Sequence, residues 1–334
     1  MTKAVIAIAV GAAMTLTTAS RAAQNPTVGD ERAVITILPA GPNAQDAQVS
    51  LQDLVLKVNG KKIAPTGLTP LRGDQDRTEI VILIDGSARS NLSLQFNDIS
   101  RFASEIPANT KIALGYMENG RAVLESQLSS DPAHLTNALR IPAGAANQTA
   151  GPYFCLSDLA AHWPSSDSGA RRIAILVTDG LDPAQWTHDQ SSDAFSSNKT
   201  MHPIASYDPE DPYVEAAIKA SVQARLQVYS IYWRNRGTAD QAAPASNSGQ
   251  SLISMVTAAT GGYAYSEGDS NPVSFEPFFA DLRRRMRNQY ALSFPEPTVK
   301  KPGPVNFELK SGNRSAKIEA PKEVWIGEST ESPK

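Results

Sequence analysis

Asp85, Ser87, Arg89 and Asp179 are the residues whose types and placement could do chemistry. Asp85-Gly86-Ser87-Ala88-Arg89 follows directly on the apolar, β-branched run 78–84. Asp179-Gly180 follows directly on a second such run, 172–178. Each run reads as a buried strand. A carboxylate and a hydroxyl at the carboxyl end of a buried strand, with a helical pattern starting at once, lie where open α/β sheets place their ligand sites. These groups do not suit covalent catalysis: Asp and Ser with no adjacent base give no activated nucleophile. The sequence has no Gly-rich phosphate loop and no GxSxG. Its four histidines (134, 162, 188, 202) are scattered, with none at metal-site spacing from Cys or Glu.

The elements that must hold these residues are legible from period. Positions 92, 96, 99, 102, 103 and 106 repeat at helical spacing after Asp85. Strands are expected at 111–116 and 122–127, around the turn Asn119-Gly120. Asp131-Pro132 opens a short helix, with Asp as cap and Pro at the first helical position. A loop at 141–152 and a helix at 156–163 precede the 172–178 strand. A helix at 213–224, a strand at 226–233, a polar loop at 234–249, helices at 252–259 and 275–286 and a short strand at 263–266 complete the alternation. Strand and helix alternating in this way imply a mostly parallel sheet covered on both faces. The chain is β-rich before and after it: 33–38, 51–58 and 62–65, the last two of these joined by the hairpin signal Asn59-Gly60, then 290–294, 305–309, 316–320 and 324–326.

The totals set the class. The chain has 334 residues and a net charge of −3, which gives no reason to expect a nucleic-acid partner. Residues 1–22 read as a secretory signal peptide: Lys3, a small-residue apolar run, then Ser20-Arg21-Ala22 as a cleavage site. The alternative is an uncleaved anchor, but the run is short for a spanning helix. No second apolar stretch occurs, so the mature chain should carry no membrane span and should be exported, periplasmic or extracellular. The one cysteine, Cys155, excludes an intrachain disulfide. Phe154 and Cys155 read as core, and the basic run Arg283-Arg284-Arg285-Met286-Arg287 as a solvated helix face. The long aperiodic segment 181–212 leaves directly from Asp179-Gly180; its length fits either partner selection or a mobile spacer.

In order and spacing, several segments resemble the von Willebrand factor A (vWA) domain, and within it the secreted bacterial VWFA-related group. These are the strand and Asn59-Gly60 hairpin at 49–60, the Asp85-Gly86-Ser87 start, the stretch 128–139, Ile175 to Gly180, Thr260-Gly-Gly-Tyr263 and the run from Arg287 to Phe294. The resemblance implies a doubly wound, mostly parallel six-stranded sheet, a Rossmann-like arrangement of strand order 3-2-1-4-5-6. It also implies a small β-rich domain assembled from the flanking segments. The expected division is signal peptide 1–22, β segment 33–73, vWA-like domain 76–289, β segment 290–327 and a disordered tail 328–334.

Many vWA domains bind Mg²⁺ at a metal-ion-dependent adhesion site patterned Asp-x-Ser-x-Ser, with a Thr from a second loop and an Asp from the fourth strand. Asp85, Ser87 and Asp179 match three positions. Arg89 stands at the second serine, and Tyr153 or Phe154 at the threonine; Thr149 and Ser90 are out of register. A guanidinium beside two carboxylates can replace a metal's charge. The expectation is therefore a degenerate, metal-free site in which Arg89 pairs with Asp85, Asp179 or both, the alternative for Arg89 being a solvated position on the first helix turn. The alternative for the site is Mg²⁺ held by Asp85, Ser87 and Asp179. The expected function is a secreted, non-enzymatic interaction module, without cofactor, binding a protein or cell-surface component at the strand-end face. The alternative is a structural component of an envelope assembly whose site is vestigial.

Overall fold

A computed structural model describes residues 30–41, 49–73, 76–88, 90–142, 151–181, 212–234 and 242–327. The expected leader 1–22, Arg89, Thr149, residues 182–211 and the expected tail 328–334 lie outside the described residues.

The chain opens with β1 (Asp30–Pro39), β2 (Leu54–Val58), β3 (Lys61–Ile63) and β4 (Gly67–Pro70). Asn59 and Gly60 both take positive φ, 50° and 76°, which is the two-residue turn whose twist matches the strands it joins. The α/β body follows: β5 (Thr78–Asp85), α1 (Phe96–Glu105), β6 (Thr110–Glu118), β7 (Arg121–Leu124), α2 (Pro132–Ala138), α3 (Pro152–Ala161), β8 (Arg171–Thr178), α4 (Pro212–Gln223), β9 (Leu226–Tyr232), α5 (Ala242–Thr260), β10 (Ala264–Tyr265) and α6 (Glu276–Arg287). The chain closes with β11 (Gln289–Pro295), β12 (Gly303–Ser311), β13 (Ala316–Glu319) and β14 (Glu323–Ile326).

The six-stranded sheet runs β10-β9-β8-β5-β6-β7. All pairs are parallel except β6 with the edge strand β7. This is the doubly wound order the sequence implies, and its direction reverses between β5 and β8. β5 is buried along its length because helices cover both of its faces. Ile80, Ile82 and Ile84 pack with Ile99 and Phe102 of α1, Leu135 of α2 and Phe279 and Leu282 of α6. Val81 and Leu83 pack with Leu156 of α3, Val214 of α4 and Val256 of α5. Each of these aliphatic side chains contributes about 1.5–3 kcal/mol relative to leaving it in water.

The flanking segments form two four-stranded sheets, β13-β1-β11-β4 and β14-β12-β2-β3. Their facing sides enclose a third core of Ile35, Ile37, Leu56, Val58, Leu292, Phe294, Phe307 and Ile326. Each sheet mixes strands from both ends of the chain, so the β-rich part is one unit.

The structure corrects several local readings. Residues 51–53 form a 3-10 turn before β2, and 90–95 a 3-10 segment before α1. α3 begins at Pro152, inside the expected loop, and α5 begins at Ala242, inside the expected polar loop. Phe154 is not core: it is 36% exposed and packs at a tilt against the Tyr213 ring. The arginine run is a solvated face only at Arg284 and Arg287. Arg285 is buried, paired with Asp281 and with Glu319 of β13, and covers the Tyr263 ring. Arg283 bonds Glu105 of α1 and Glu276.

Arg285 belongs to a polar seam that joins body to sandwich. Its second member is Arg171, the first residue of β8. Its guanidinium bonds Asp76 at 2.7 Å, Thr78 Oγ1 at 2.7 Å, the Met286 carbonyl and the Gln289 side chain. Burial pulls this guanidinium below its ordinary pKa, with Asp76 opposing. Gln289 in turn donates to Gln227 and to the hydroxyl of Tyr229, which burial pushes up to about 12. Removing Asp76 strands a buried cation. Asp76→Ala should therefore lower the unfolding free energy by about 3–5 kcal/mol in urea titration. Lys57→Ala, which breaks a pair with both partners 45% exposed, should cost under about 1 kcal/mol.

Candidate functional site

The site lies where β5 and β8 end side by side. Their parallel register runs from Thr78 opposite Arg171 to Ile84 opposite Val177. Asp85 and Thr178 follow as the next facing pair, and Thr178 Oγ1 donates to Asp85 Oδ2 at 2.8 Å. The other carboxylate oxygen accepts from the backbone N–H of Ser87 at 2.9 Å and from its hydroxyl at 2.6 Å. Three donors thus converge on one half-buried carboxylate. Hydrogen bonds to a charged group are each about twice as strong as neutral ones. The turn is anchored further by Ala88, whose N–H reaches the Asp85 carbonyl, and by Gly86, whose N–H reaches Met117 at the end of β6.

Asp179 is buried, 5% exposed, and its Oδ1 accepts from the N–H of Leu181 at 3.0 Å. Gly180 then turns the chain with φ +72°. Its N–H reaches Thr178 Oγ1 and its carbonyl accepts from the Tyr153 hydroxyl at 2.7 Å. A Cβ at Gly180 would collide with the Gly249 carbonyl oxygen of α5, so the turn is packed between α3 and α5 as well as bent. Asp85 and Asp179 are thus brought to neighbouring strand ends, linked through Thr178. Arg89, the fourth expected site residue, lies outside the described residues.

Sequence reasoning missed two residues here. Thr178 looks like an ordinary strand threonine; its place beside Asp85 follows only from the β5–β8 register. Gln95 is 2% exposed and clamps two loops. Its Oε1 accepts from Phe275 N–H at 3.0 Å and its Nε2 donates to the Val273 carbonyl at 3.1 Å. Asp98 holds the same loop, accepting from Ser274 Oγ and Phe275 N–H at the start of α6. The clamp leaves Leu94, 76% exposed, and Val273, 93% exposed, on the rim at the strand ends.

These donors do not fit the oxygen shell that Mg²⁺ requires. That ion takes six oxygens at near-octahedral angles. Of the residues at the threonine position, Tyr153 spends its hydroxyl on Gly180, and Phe154 has no side-chain oxygen.

No protein-family model and no curated protein matches the chain. Solved structures do. An aerotolerance-related membrane protein from Bacteroides fragilis NCTC 9343, with multiple mutations to serines, aligns at 14% identity over 63% of this chain and 98% of its own, TM-score 0.36. The conserved hypothetical protein BatB from Bacteroides thetaiotaomicron aligns at 17% identity over 62% and 98%, TM-score 0.36. The SpRpn10 VWA domain aligns at 10% identity over 62% and 94%, TM-score 0.32. The doubly wound assignment rests on the strand order and pairing described above.

If Thr178 serves Asp85, Thr178→Val should lower stability by about 1–3 kcal/mol, because a charged acceptor loses a donor. Combined with Asp85→Ala it should cost clearly less than the two single losses added. Urea titration of the four proteins measures both; strict additivity would show that the two side chains act independently.

Proposed function

We propose that this chain is an exported, non-enzymatic interaction module of the vWA type, which engages a protein or cell-surface partner at the strand-end face around Asp85, Ser87 and Asp179. The observation that carries the reading is the Asp85 carboxylate: half-buried, held by Ser87 and Thr178, and placed at the switch between β5 and β8. Rigid placement of this kind lowers the ordering cost of binding. The Ser87 hydroxyl donates to a carboxylate, with no histidine beside it among the described residues, which supports binding over nucleophilic chemistry. The exposed Leu94 and Val273 add apolar surface to the same rim.

The proposal includes the absence of a resident divalent cation. The site is degenerate: the donors of Asp85 are hydroxyls and a backbone N–H of this chain, and Arg89 supplies positive charge nearby in sequence. Isothermal titration of the purified protein with Mn²⁺ should give no saturable heat in the micromolar range. Micromolar binding that Asp85→Ala abolishes would overturn this part of the reading.

A structural role in an envelope assembly competes with it, and the sandwich built from both chain ends favours considering it. Capture from an envelope extract separates the two. The strand-end reading expects capture to fall at least about ten-fold with Asp85→Asn or with Leu94→Asp/Val273→Asp. Capture that survives both and depends only on the sandwich would assign the protein to the assembly role.

A further inference from the structure

The sandwich carries a surface that the strand-end reading leaves unused. Eight of the chain's thirteen lysines fall in its two terminal β segments, although the whole chain is acidic by three charges. Three of the eight share one face. Strand alternation sends Leu54, Leu56 and Val58 of β2 into the core and leaves Val55 and Lys57 outside. The same alternation leaves Glu308 and Lys310 of β12 outside, on either side of Leu309 and next to the buried Phe307. The register then sets Lys57 opposite Glu308 on one side and opposite Lys62 of β3 on the other, with Lys310 opposite Val55.

This arrangement works against the fold. Like charges directly opposite on neighbouring strands destabilise a sheet. Glu308 offsets Lys57 only through an exposed pair at 3.5 Å, which contributes little. Lysine on β3 alone would have an ordinary explanation, because β3 is an edge strand and lysine discourages pairing with other chains. Lys57 lies on β2 between Glu308 and Lys62, paired on both sides, so edge protection does not account for it; at Lys310, β12 is paired on one side only. Val55, 39% exposed, sits among them. A local cost with no return inside the fold marks a surface kept for another use.

We infer that this face of β2, β3 and β12 docks on an anionic phospholipid surface. The charge is of the right sign. The cations are lysines, whose point charge suits headgroup phosphates without demanding the bidentate geometry of arginine. Val55, opposite Lys310 and two residues from Lys57, supplies a short apolar contact beside them. The sandwich joins the body at the Thr78 and Arg171 ends of the parallel strands, whereas Asp85 and Asp179 lie at the opposite ends. Docking through the sandwich therefore leaves the strand-end face free.

Each basic residue near an anionic leaflet tightens binding about five-fold, within a screening distance that shrinks with salt. The test is co-sedimentation of the protein, purified from the exported fraction of its expressing cells, with vesicles of phosphatidylcholine containing about one-third phosphatidylglycerol. The protein should partition onto these vesicles, not onto pure phosphatidylcholine, and should be released at about 0.5 M salt. Lys57→Gln/Lys62→Gln/Lys310→Gln should weaken partition about a hundred-fold. Lys111→Gln/Lys219→Gln, at exposed lysines of the body, should leave it unchanged. Relief of the facing pair predicts that the triple variant melts no lower than the parent; if it nonetheless unfolds, Lys310→Gln alone should lower partition about five-fold. No partition, equal partition onto neutral vesicles, or partition indifferent to these lysines overturns the inference. So does binding of soluble polyphosphate without any partition onto vesicles.

Discussion

The buried guanidinium of Arg171 is the contact on which the rest of the structure turns. It touches the linker at Asp76, β5 at Thr78, the end of α6 at Met286 and β11 at Gln289. A cation with this little solvent around it is tolerated only when nearly all its donors are satisfied. The network therefore accepts few alternative geometries. It pins Thr78 opposite Arg171, and in a parallel ladder one pinned pair sets all the others. Asp85 meets Thr178 at the far end of these strands because Arg171 meets Thr78 at the near end. A slip of one residue would turn every side chain of β5 to the wrong face.

How much of this was legible in the sequence depended on whether the signal was local. The strands of the body were plain because each is a continuous apolar run bounded by turn chemistry, and the hairpin at Asn59-Gly60 because both residues tolerate positive φ. The switch point could be located from strand ends alone. What escaped was set by packing. Arg283 and Arg285 look like a solvated run because nothing local announces that Glu105, Asp281 and Glu319 will close around them. Thr178 and Gln95 act through residues distant in the chain, so no spacing rule could single them out. α3 starts earlier than expected because Pro152, which reads as loop punctuation, serves as a first-turn residue. α5 starts earlier as well, in a stretch whose Ser and Asn content favours a loop by propensity.

Charge is distributed by role as well as by number. Arginines hold the interior seam, where planar, multi-donor groups can satisfy several acceptors at once. Lysines lie outside on the sandwich. Hydroxyls and backbone N–H groups hold the carboxylates at the strand ends. The molecule thus has a polar seam between two surfaces of different character, one at each end of the central strands.

The pairing of β1 with β11 and of β2 with β12 also has a kinetic side. These partners are about 250 residues apart, and closing so long a loop in an unfolded chain is entropically costly and slow. The α/β body, whose contacts are far more local, can fold first and bring its two ends together at the Thr78–Gln289 side. The sandwich would then assemble last, by capture of an early strand that had waited unpaired since it was synthesised. During that interval β1, with its run of Val34, Ile35, Ile37 and Leu38, is the segment most exposed to association with other chains. That exposure ends only when β11 and β13, which flank β1 in its sheet, have been made.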